Sequence, residues 1–113
     1  MLNDWSQMLA NNRKAAGQLA AHNPQLLTAF RTLNDAQGAT GTLDAKTREL
    51  IALAVAVTTR CDGCIAAHAA AARQAGVSEA ELSEALGTAI ALNAGAAYVY
   101  SLRALDALGD FTA

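Results

Sequence analysis

The apolar residues of this chain recur three and four positions apart, which is the spacing that places side chains on one face of an α-helix. After Pro24, for example, Leu26, Phe30 and Leu33 fall on one side of a predicted helix. No stretch alternates apolar and polar residues in the way that is typical of a half-buried β-strand. The pattern therefore predicts an all-α fold.

Capping signals divide this pattern into about six helices. Asp, Asn, Thr or Ser stands where each of the first five begins, often three residues before Gln, Asp or Glu. The first two predicted helices run from Asp4 to about Ala21 and from Asn23 to about Gln37, and the third begins between Thr42 and Asp44 and continues through Val57. The last three run from Thr59 to about Gln74, from Ser78 to about Leu92, and on to about Leu108. A break before the last helix is expected at Asn93 and Gly95.

Length and composition predict one domain that assembles with copies of itself. A chain of 113 residues fits a single domain, 1–113, in which N-terminal helices, 1–42, precede a core, 43–108, that holds both cysteines. Hydrophobic residues make up 53% and charged residues 16%, a balance that excludes disorder. Because so small a chain has a large surface for its volume, some apolar faces are expected to be buried between subunits of a homo-oligomer.

Charge and hydropathy argue against several classes of partner. The net charge of −2 provides no basic surface for nucleic acid or for an anionic membrane. No window reaches the roughly 18 unbroken apolar residues that span a bilayer. The first residues, MLNDWSQML, lack the basic flank and apolar run of a secretory signal. We therefore predict a cytoplasmic protein with no nucleic-acid or membrane partner, whose cysteines serve redox or metal chemistry.

The candidate chemistry lies between Glu49 and His68, in the stretch ELIALAVAVTTRCDGCIAAH, which holds both cysteines. Cys61 and Cys64 have the spacing that either closes a small disulfide or shares a metal ion. If the chain is helical from Cys61 onward, His68 lies on the same face as both thiols. With Thr59 as the N-cap, Cys61 occupies the first turn, where backbone N–H groups stabilise a thiolate.

The neighbouring groups favour redox chemistry over metal binding. His68 could take a thiol proton, and Glu49, brought alongside from the preceding helix, could orient the imidazole. Structural zinc usually has four ligands from cysteine and histidine, and this stretch offers two thiols and one imidazole. We therefore predict a dithiol that cycles between reduced and disulfide forms, and no metal ion or cofactor.

The spacing of Glu49, Cys61, Cys64 and His68 resembles the alkylhydroperoxidase D-like (AhpD-like) branch of the carboxymuconolactone decarboxylase family. The likeness covers roughly Leu43 to Ala107, more than half of the chain, and includes Leu43-Asp44, Arg48-Glu49-Leu50-Ile51, Ala75-Gly76-Val77-Ser78-Glu79 and Glu84-Ala85-Leu86. The first two predicted helices carry no such likeness.

The resemblance implies a helical fold that assembles as a trimer or hexamer, with each site near a subunit interface. It also implies a thiol-dependent hydroperoxide reductase, or a thiol partner that reduces a peroxiredoxin. Cys61 and Cys64 would then be the redox pair, Glu49 and His68 a proton relay, and an external dithiol the reductant. One departure is Gly63, because well-studied members often have a histidine just before the second cysteine.

Two other functions fit the same residues. A small lactone-acid decarboxylase would need cations around a carboxylate pocket, and the stretch offers only Arg60 and His68. A non-catalytic oligomeric module would use the cysteines to sense redox state or, with His68 and Glu49, to bind zinc. The sequence also leaves open which thiol attacks first, since the helix N-terminus favours Cys61 and the adjacent His68 favours Cys64.

Overall fold

The computed structural model describes residues 2–111, which form helices and turns and contain no strand. The five helices in chain order are α1 (Trp5–His22), α2 (Pro24–Ala36), α3 (Ala45–Thr59), α4 (Asp62–Gln74) and α5 (Glu79–Asp110). The prediction of an all-α fold is confirmed. The described residues form five helices rather than six, because the two helices predicted after Ser78 are one.

Three of the predicted capping residues define helix starts through local hydrogen bonds. Asp4 accepts a hydrogen bond from the backbone N–H of Gln7 (3.1 Å), and Asp44 caps α3 in the same way (2.8 Å). At the start of α5, the Ser78 hydroxyl accepts from the Glu81 N–H (3.1 Å), and the Glu81 carboxylate accepts from the Ser78 N–H (2.9 Å). These bonds satisfy N–H groups that a helix start otherwise leaves unpaired.

The predicted break at Asn93 and Gly95 is wrong, because α5 continues through both residues as one helix of 32 residues. The Asn93 amide caps no helix end. It donates instead to the Ala89 carbonyl (2.7 Å) and to the hydroxyl of Thr58 in α3 (2.9 Å). Gly95 costs about 1 kcal/mol relative to alanine, which is too little to end a long helix.

A small buried core joins α3, α4 and the start of α5. Leu53, Ala72 and Val77 form this core, and Leu50 and Leu82 pack against it. Val77 precedes the N-cap of α5 and Leu82 follows it by one turn, which is the arrangement of a hydrophobic staple. The core therefore holds α3 against α4, the two helices that carry the candidate catalytic residues.

The chain is open in shape. Its radius of gyration is 18.6 Å, whereas about 13 Å is expected for a compact chain of this length. Within residues 2–111, close backbone packing joins α2 only to α1 and α5 only to α3, although the Leu82 side chain of α5 also packs against the core that includes Ala72 of α4. Residues 90–111 are all exposed. The large apolar side chains among them are Ile90, Leu92, Tyr98, Val99, Tyr100, Leu102, Leu105, Leu108 and Phe111.

By length and composition alone, α5 could cross a membrane, which no other helix in the described part of the chain could do. The sequence prediction rested on the length of unbroken apolar runs, and Thr88 and Asn93 divide α5 into runs that are too short to span a bilayer. The mean hydropathy of an 18-residue window stays high despite such polar residues, so α5 passes that second criterion. The exposed apolar surface of α5 is therefore a candidate for contact with another subunit or with lipid.

A surface ion pair links α3 to α5, with 2.8 Å between Lys46 Nζ and Glu81 Oε2. The hydrogen bond from Lys46, followed by those from Ser78, lowers the pKa of Glu81 from 4.5 to about 2. A carboxyl group whose pKa is lower in the folded state stabilises the protein above its unfolded-state pKa, and it loses that effect as pH falls through the folded-state pKa. The contribution of Glu81 should therefore disappear between pH 4.5 and pH 2.

We expect Glu81→Gln to lower the urea midpoint of unfolding slightly near neutral pH, because exposed ion pairs contribute little to stability. The difference from wild type should shrink as the pH approaches 2, where the wild-type carboxyl group is itself becoming protonated. Glu79→Gln, in the same helical turn, is the matched control without the lysine contact. A difference that stays constant over this pH range would contradict the assignment.

Candidate functional site

The turn between α3 and α4 builds the candidate site. α3 ends at Thr59, and Arg60 adopts a left-handed backbone conformation with a φ of 55°. The Arg60 N–H donates to the Val57 carbonyl (3.3 Å) and the Cys61 N–H to the Ala56 carbonyl (3.1 Å), which satisfies the end of α3. The chain therefore reverses direction at once and places Cys61 at the start of α4.

Cys61 is the N-cap of α4, and its Sγ accepts a hydrogen bond from the Cys64 N–H at 3.2 Å. The predictions that Thr59 is the N-cap and that Cys61 lies in the first turn are therefore wrong, since α4 begins at Asp62. Thr59 instead donates its hydroxyl hydrogen to the Val55 carbonyl within α3 (3.0 Å). A sulfur at the N-cap still lies beside the N–H groups of the first turn, so the electrostatic argument for a stabilised thiolate still applies.

The two sulfurs of the site are not equivalent. Cys61 and Cys64 are joined by a disulfide, with 5.2 Å between their Cα atoms. Cys61 is half-buried, whereas Cys64 is exposed. A molecule that approaches from solvent therefore reaches Cys64 more readily than Cys61.

Glu49 and His68 are brought together across the α3–α4 interface, as the sequence predicted. His68 Nδ1 and Glu49 Oε2 are 2.7 Å apart, and the two side chains are 29% and 17% exposed. Because a carboxylate only accepts hydrogen bonds, Nδ1 carries the hydrogen in this contact. In the neutral imidazole, Nε2 is then the nitrogen that is free to take a proton.

A groove of about 320 Å³ brings Cys64, one of the two cysteines, and His68 into one space. Cys64 and His68 of α4 line it, together with residues of α3 and of the end of α2. The residues that line the groove are Asn34, Gln37, Arg48, Ile51, Ala52, Val55, Ala56, Thr59, Cys64 and His68. Its volume lies at the small end of the roughly 300–1,000 Å³ that small-molecule sites occupy.

Three polar residues of this groove, namely Asn34, Gln37 and Arg48, are not among the candidate site residues that the sequence indicated. The cation that the sequence suggested, Arg60, does not line the groove. The one sequence feature that could have indicated Arg48 is its position directly before Glu49. That position alone does not show on which side of α3 the guanidinium lies.

Gly63, between the two cysteines, faces α1. A Cβ at this position would lie 2.8 Å from Nδ2 of Asn12, so the side chain from α1 occupies the space that a larger residue would need. Gly63 is the position at which this chain departs from the histidine that the family resemblance implied for other members, and nothing in the sequence pattern linked Gly63 to α1. A histidine at position 63 would require Asn12 to move.

A second groove, of about 440 Å³, lies between α3 and α5 and has no titratable side chain in its lining. Its walls are apolar, apart from residues such as Thr58, Thr88 and Asn93, so it offers no group for acid–base or nucleophilic chemistry. No three His, Cys, Asp or Glu side chains in residues 2–111 come together in an arrangement that could hold a metal ion. The groove with Cys64 and His68 is therefore the candidate site.

The chain matches a family model described as "Carboxymuconolactone decarboxylase family" over residues 24–107. This range covers α2 to most of α5 and therefore includes all four candidate catalytic residues. It also includes α2, which carries no family motif recognisable in the sequence, whereas α1 lies outside the match.

Three relatives extend this similarity over most of the chain. An "Uncharacterized protein" of Haemophilus influenzae is 58% identical over 107 residues, which cover 95% of each chain. The "Uncharacterized protein 4 in cox locus" of Paracoccus denitrificans is 36% identical over 96 residues, 85% of this chain and 86% of the relative. An uncharacterized protein of Cupriavidus necator is 30% identical over 105 residues, 93% of each chain. The chain belongs to the carboxymuconolactone decarboxylase family.

Proposed function

We propose that this protein is a thiol-dependent hydroperoxide reductase of the AhpD-like branch of its family. The observation that carries the proposal is the 2.7 Å contact between His68 and Glu49, made beside a groove that also contains one sulfur of the disulfide. A structural crosslink would need neither an oriented imidazole nor an opening to solvent. A dithiol that reacts with a small oxidant would use both.

The exposure of the sulfurs supports Cys64 as the attacking residue. In the reduced protein, His68 Nε2 takes the Cys64 proton, and the thiolate attacks the terminal oxygen of the hydroperoxide. The O–O bond breaks, Cys64 becomes a sulfenic acid, and the alkoxide leaves as an alcohol with the proton from His68. The Cys61 thiol then attacks the sulfenic sulfur, the disulfide forms, and water leaves.

A dithiol donor must close the cycle, because the disulfide cannot accept another peroxide. The donor reduces Cys61–Cys64 by thiol–disulfide exchange and is itself oxidised to a disulfide. In the related role, the reduced pair donates its electrons to the disulfide of a peroxiredoxin. Either role requires a compartment that keeps dithiols reduced, so we propose a cytoplasmic location.

A peroxide-consumption assay with a dithiol donor tests the proposal on the wild-type chain. We expect organic hydroperoxide to be consumed with one equivalent of donor disulfide formed per peroxide. Reversible formation of Cys61–Cys64 without turnover by any peroxide or peroxiredoxin would instead favour a redox sensor. Stoichiometric zinc in purified reduced protein would favour the metal-binding module.

Arg48 in the groove gives some support to a second function, that of a lactone-acid decarboxylase. Such an enzyme needs a cation for the substrate carboxylate, and Arg48 supplies one. The two functions differ in their need for sulfur. Decarboxylase activity should survive replacement of both cysteines, whereas peroxide reduction should not.

We also propose that the protein is a homo-oligomer, a trimer or hexamer, in which a second copy covers the exposed apolar surface of α5. The open shape and the exposure of residues 90–111 support this arrangement. Contact with lipid is less favourable, because Arg103 and Asp106 lie among the same exposed residues and would be costly inside a bilayer.

Size-exclusion chromatography with light scattering should give a mass of three or six times the chain mass of 11.6 kDa. We expect Leu105→Glu to shift this mass toward the monomer, because Leu105 is 68% exposed on the uncovered part of α5. Leu2→Glu, at an exposed leucine outside α5, is the control and should leave the mass unchanged. A monomeric wild-type protein without detergent would overturn the proposal.

A further inference from the structure

Arg48 is a half-buried cation that forms no direct ion pair with any described residue, although its charge acts on the carboxylate of Asp44. The ion pairs among residues 2–111 involve Lys46, Glu81, His68 and Glu49, and none of them includes Arg48. Its guanidinium carries five N–H donors, and one nitrogen, Nη2, donates to the Leu43 carbonyl at 2.9 Å. A guanidinium that is partly removed from water favours an anion as its next partner.

The surrounding backbone holds the Arg48 side chain in place. Gly38, in the turn after α2, leaves open the space that the guanidinium fills, since a Cβ at Gly38 would collide with the guanidinium atoms. The Leu43 carbonyl fixes the far end of the side chain. Arg48 is therefore positioned by two loop residues rather than left to move freely in solvent, which lowers the entropic cost of binding a ligand.

The groove that Arg48 lines is the one that contains Cys64 and His68. Its wall along α3 is apolar and includes Ile51, Val55 and Ala56. A ligand that fills this groove would therefore have a compact apolar body with an anionic group toward Arg48. The reactive group of this ligand would then lie toward the sulfur of Cys64.

We propose that Arg48 is a specificity-determining residue that binds a carboxylate on the substrate, so that the site prefers carboxylate-bearing organic hydroperoxides over neutral ones. A guanidinium suits this group because it can donate two parallel hydrogen bonds to a carboxylate. The proposal rests on the peroxide-reductase function for the identity of the reacting group. The anion site itself does not depend on that function, because a lactone acid would present the same carboxylate to Arg48.

The test compares a hydroperoxide of a carboxylic acid with the methyl ester of the same compound, using wild type, Arg48→Gln and Arg73→Gln. For wild type, kcat/KM should be higher for the acid. Arg48→Gln should reduce this preference by about 10- to 100-fold, the range that loss of a hydrogen bond to a charged group implies. Arg73→Gln, on the exposed face of α4 and outside the groove, should leave the preference unchanged.

Gly38→Ala is a second variant that keeps the charge of Arg48 and changes its position. The added methyl group should displace the guanidinium and reduce the acid preference in part, without removing turnover of the ester. Equal kcat/KM for acid and ester in wild type would overturn the specificity proposal and leave the reductase function standing.

Binding of octanoate, an unreactive carboxylate, separates the anion site from the chemistry. Calorimetry on the disulfide form should detect octanoate with wild type and with Arg73→Gln, and at least about 10-fold weaker binding with Arg48→Gln. If octanoate binds in this way and no peroxide is turned over, the reductase function fails and the anion site stands. Equal affinity for wild type and Arg48→Gln would overturn the anion site.

Discussion

Replacement of Cys64 by serine is expected to lower kcat/KM for peroxide reduction by about 1,000-fold or more, since loss of a nucleophile removes the main route of reaction. Serine is nearly isosteric, but its hydroxyl does not form the anion that attacks an oxygen of the peroxide. Cys61 is half-buried and does not line the groove, so we expect it to replace Cys64 poorly. Stopped-flow measurement of peroxide consumption, with reduced protein in excess, measures the effect directly.

Cys61→Ser is the matched comparison, because it removes the resolving sulfur and keeps the attacking one. This variant should consume one equivalent of peroxide rapidly and then stop, with a sulfenic acid on Cys64 that dimedone can trap. The opposite pattern, with a burst in Cys64→Ser and none in Cys61→Ser, would reverse the two roles. Full steady-state turnover in both variants would refute the cysteine mechanism altogether.

Replacement of His68 by asparagine is expected to lower kcat/KM by about 100-fold or more, the usual contribution of a positioned acid–base group. Asparagine keeps a polar side chain at the end of the Glu49 contact but cannot take the Cys64 proton. His22→Asn provides the control, because His22 lies at the end of α1 and outside the groove. The far-ultraviolet circular dichroism of both variants should match that of wild type.

Glu49→Gln distinguishes a relay from two independent effects. If Glu49 acts by orienting His68, its loss should matter only while the histidine is present. The double variant with His68→Asn should then be about as slow as His68→Asn alone. Fully multiplicative effects of the two changes would show that Glu49 contributes separately, and unchanged kcat/KM in Glu49→Gln would remove it from the mechanism.

Local features of this fold could be predicted from the sequence. The capping residues Asp4 and Ser78 define helix starts through bonds to residues three positions away, so a short window contains the whole interaction. The contact between Glu49 and His68 spans 19 residues, but it follows from two helices that pack antiparallel after a tight turn. The family resemblance, more than the spacing alone, singled out Glu49.

Features that depend on a distant neighbour could not be predicted in this way. Asn93 resembles a helix break in the sequence, and its amide is used instead by Thr58 of another helix. The direction of the Arg48 side chain depends on the loop around Gly38 and Leu43. In both cases the deciding partner is not recognisable from the sequence around the residue itself.

The uncovered half of α5 has a consequence for how the chain reaches its native state. Among the described residues, none after Ala96 lines the groove with α3, so the last turns of the helix have no buried apolar face to hold them within one chain. Isolated helices shorter than about 15 residues are marginal in water. If a neighbouring copy supplies the missing contact, that part of α5 becomes ordered only on association, and dilution should lower the melting temperature.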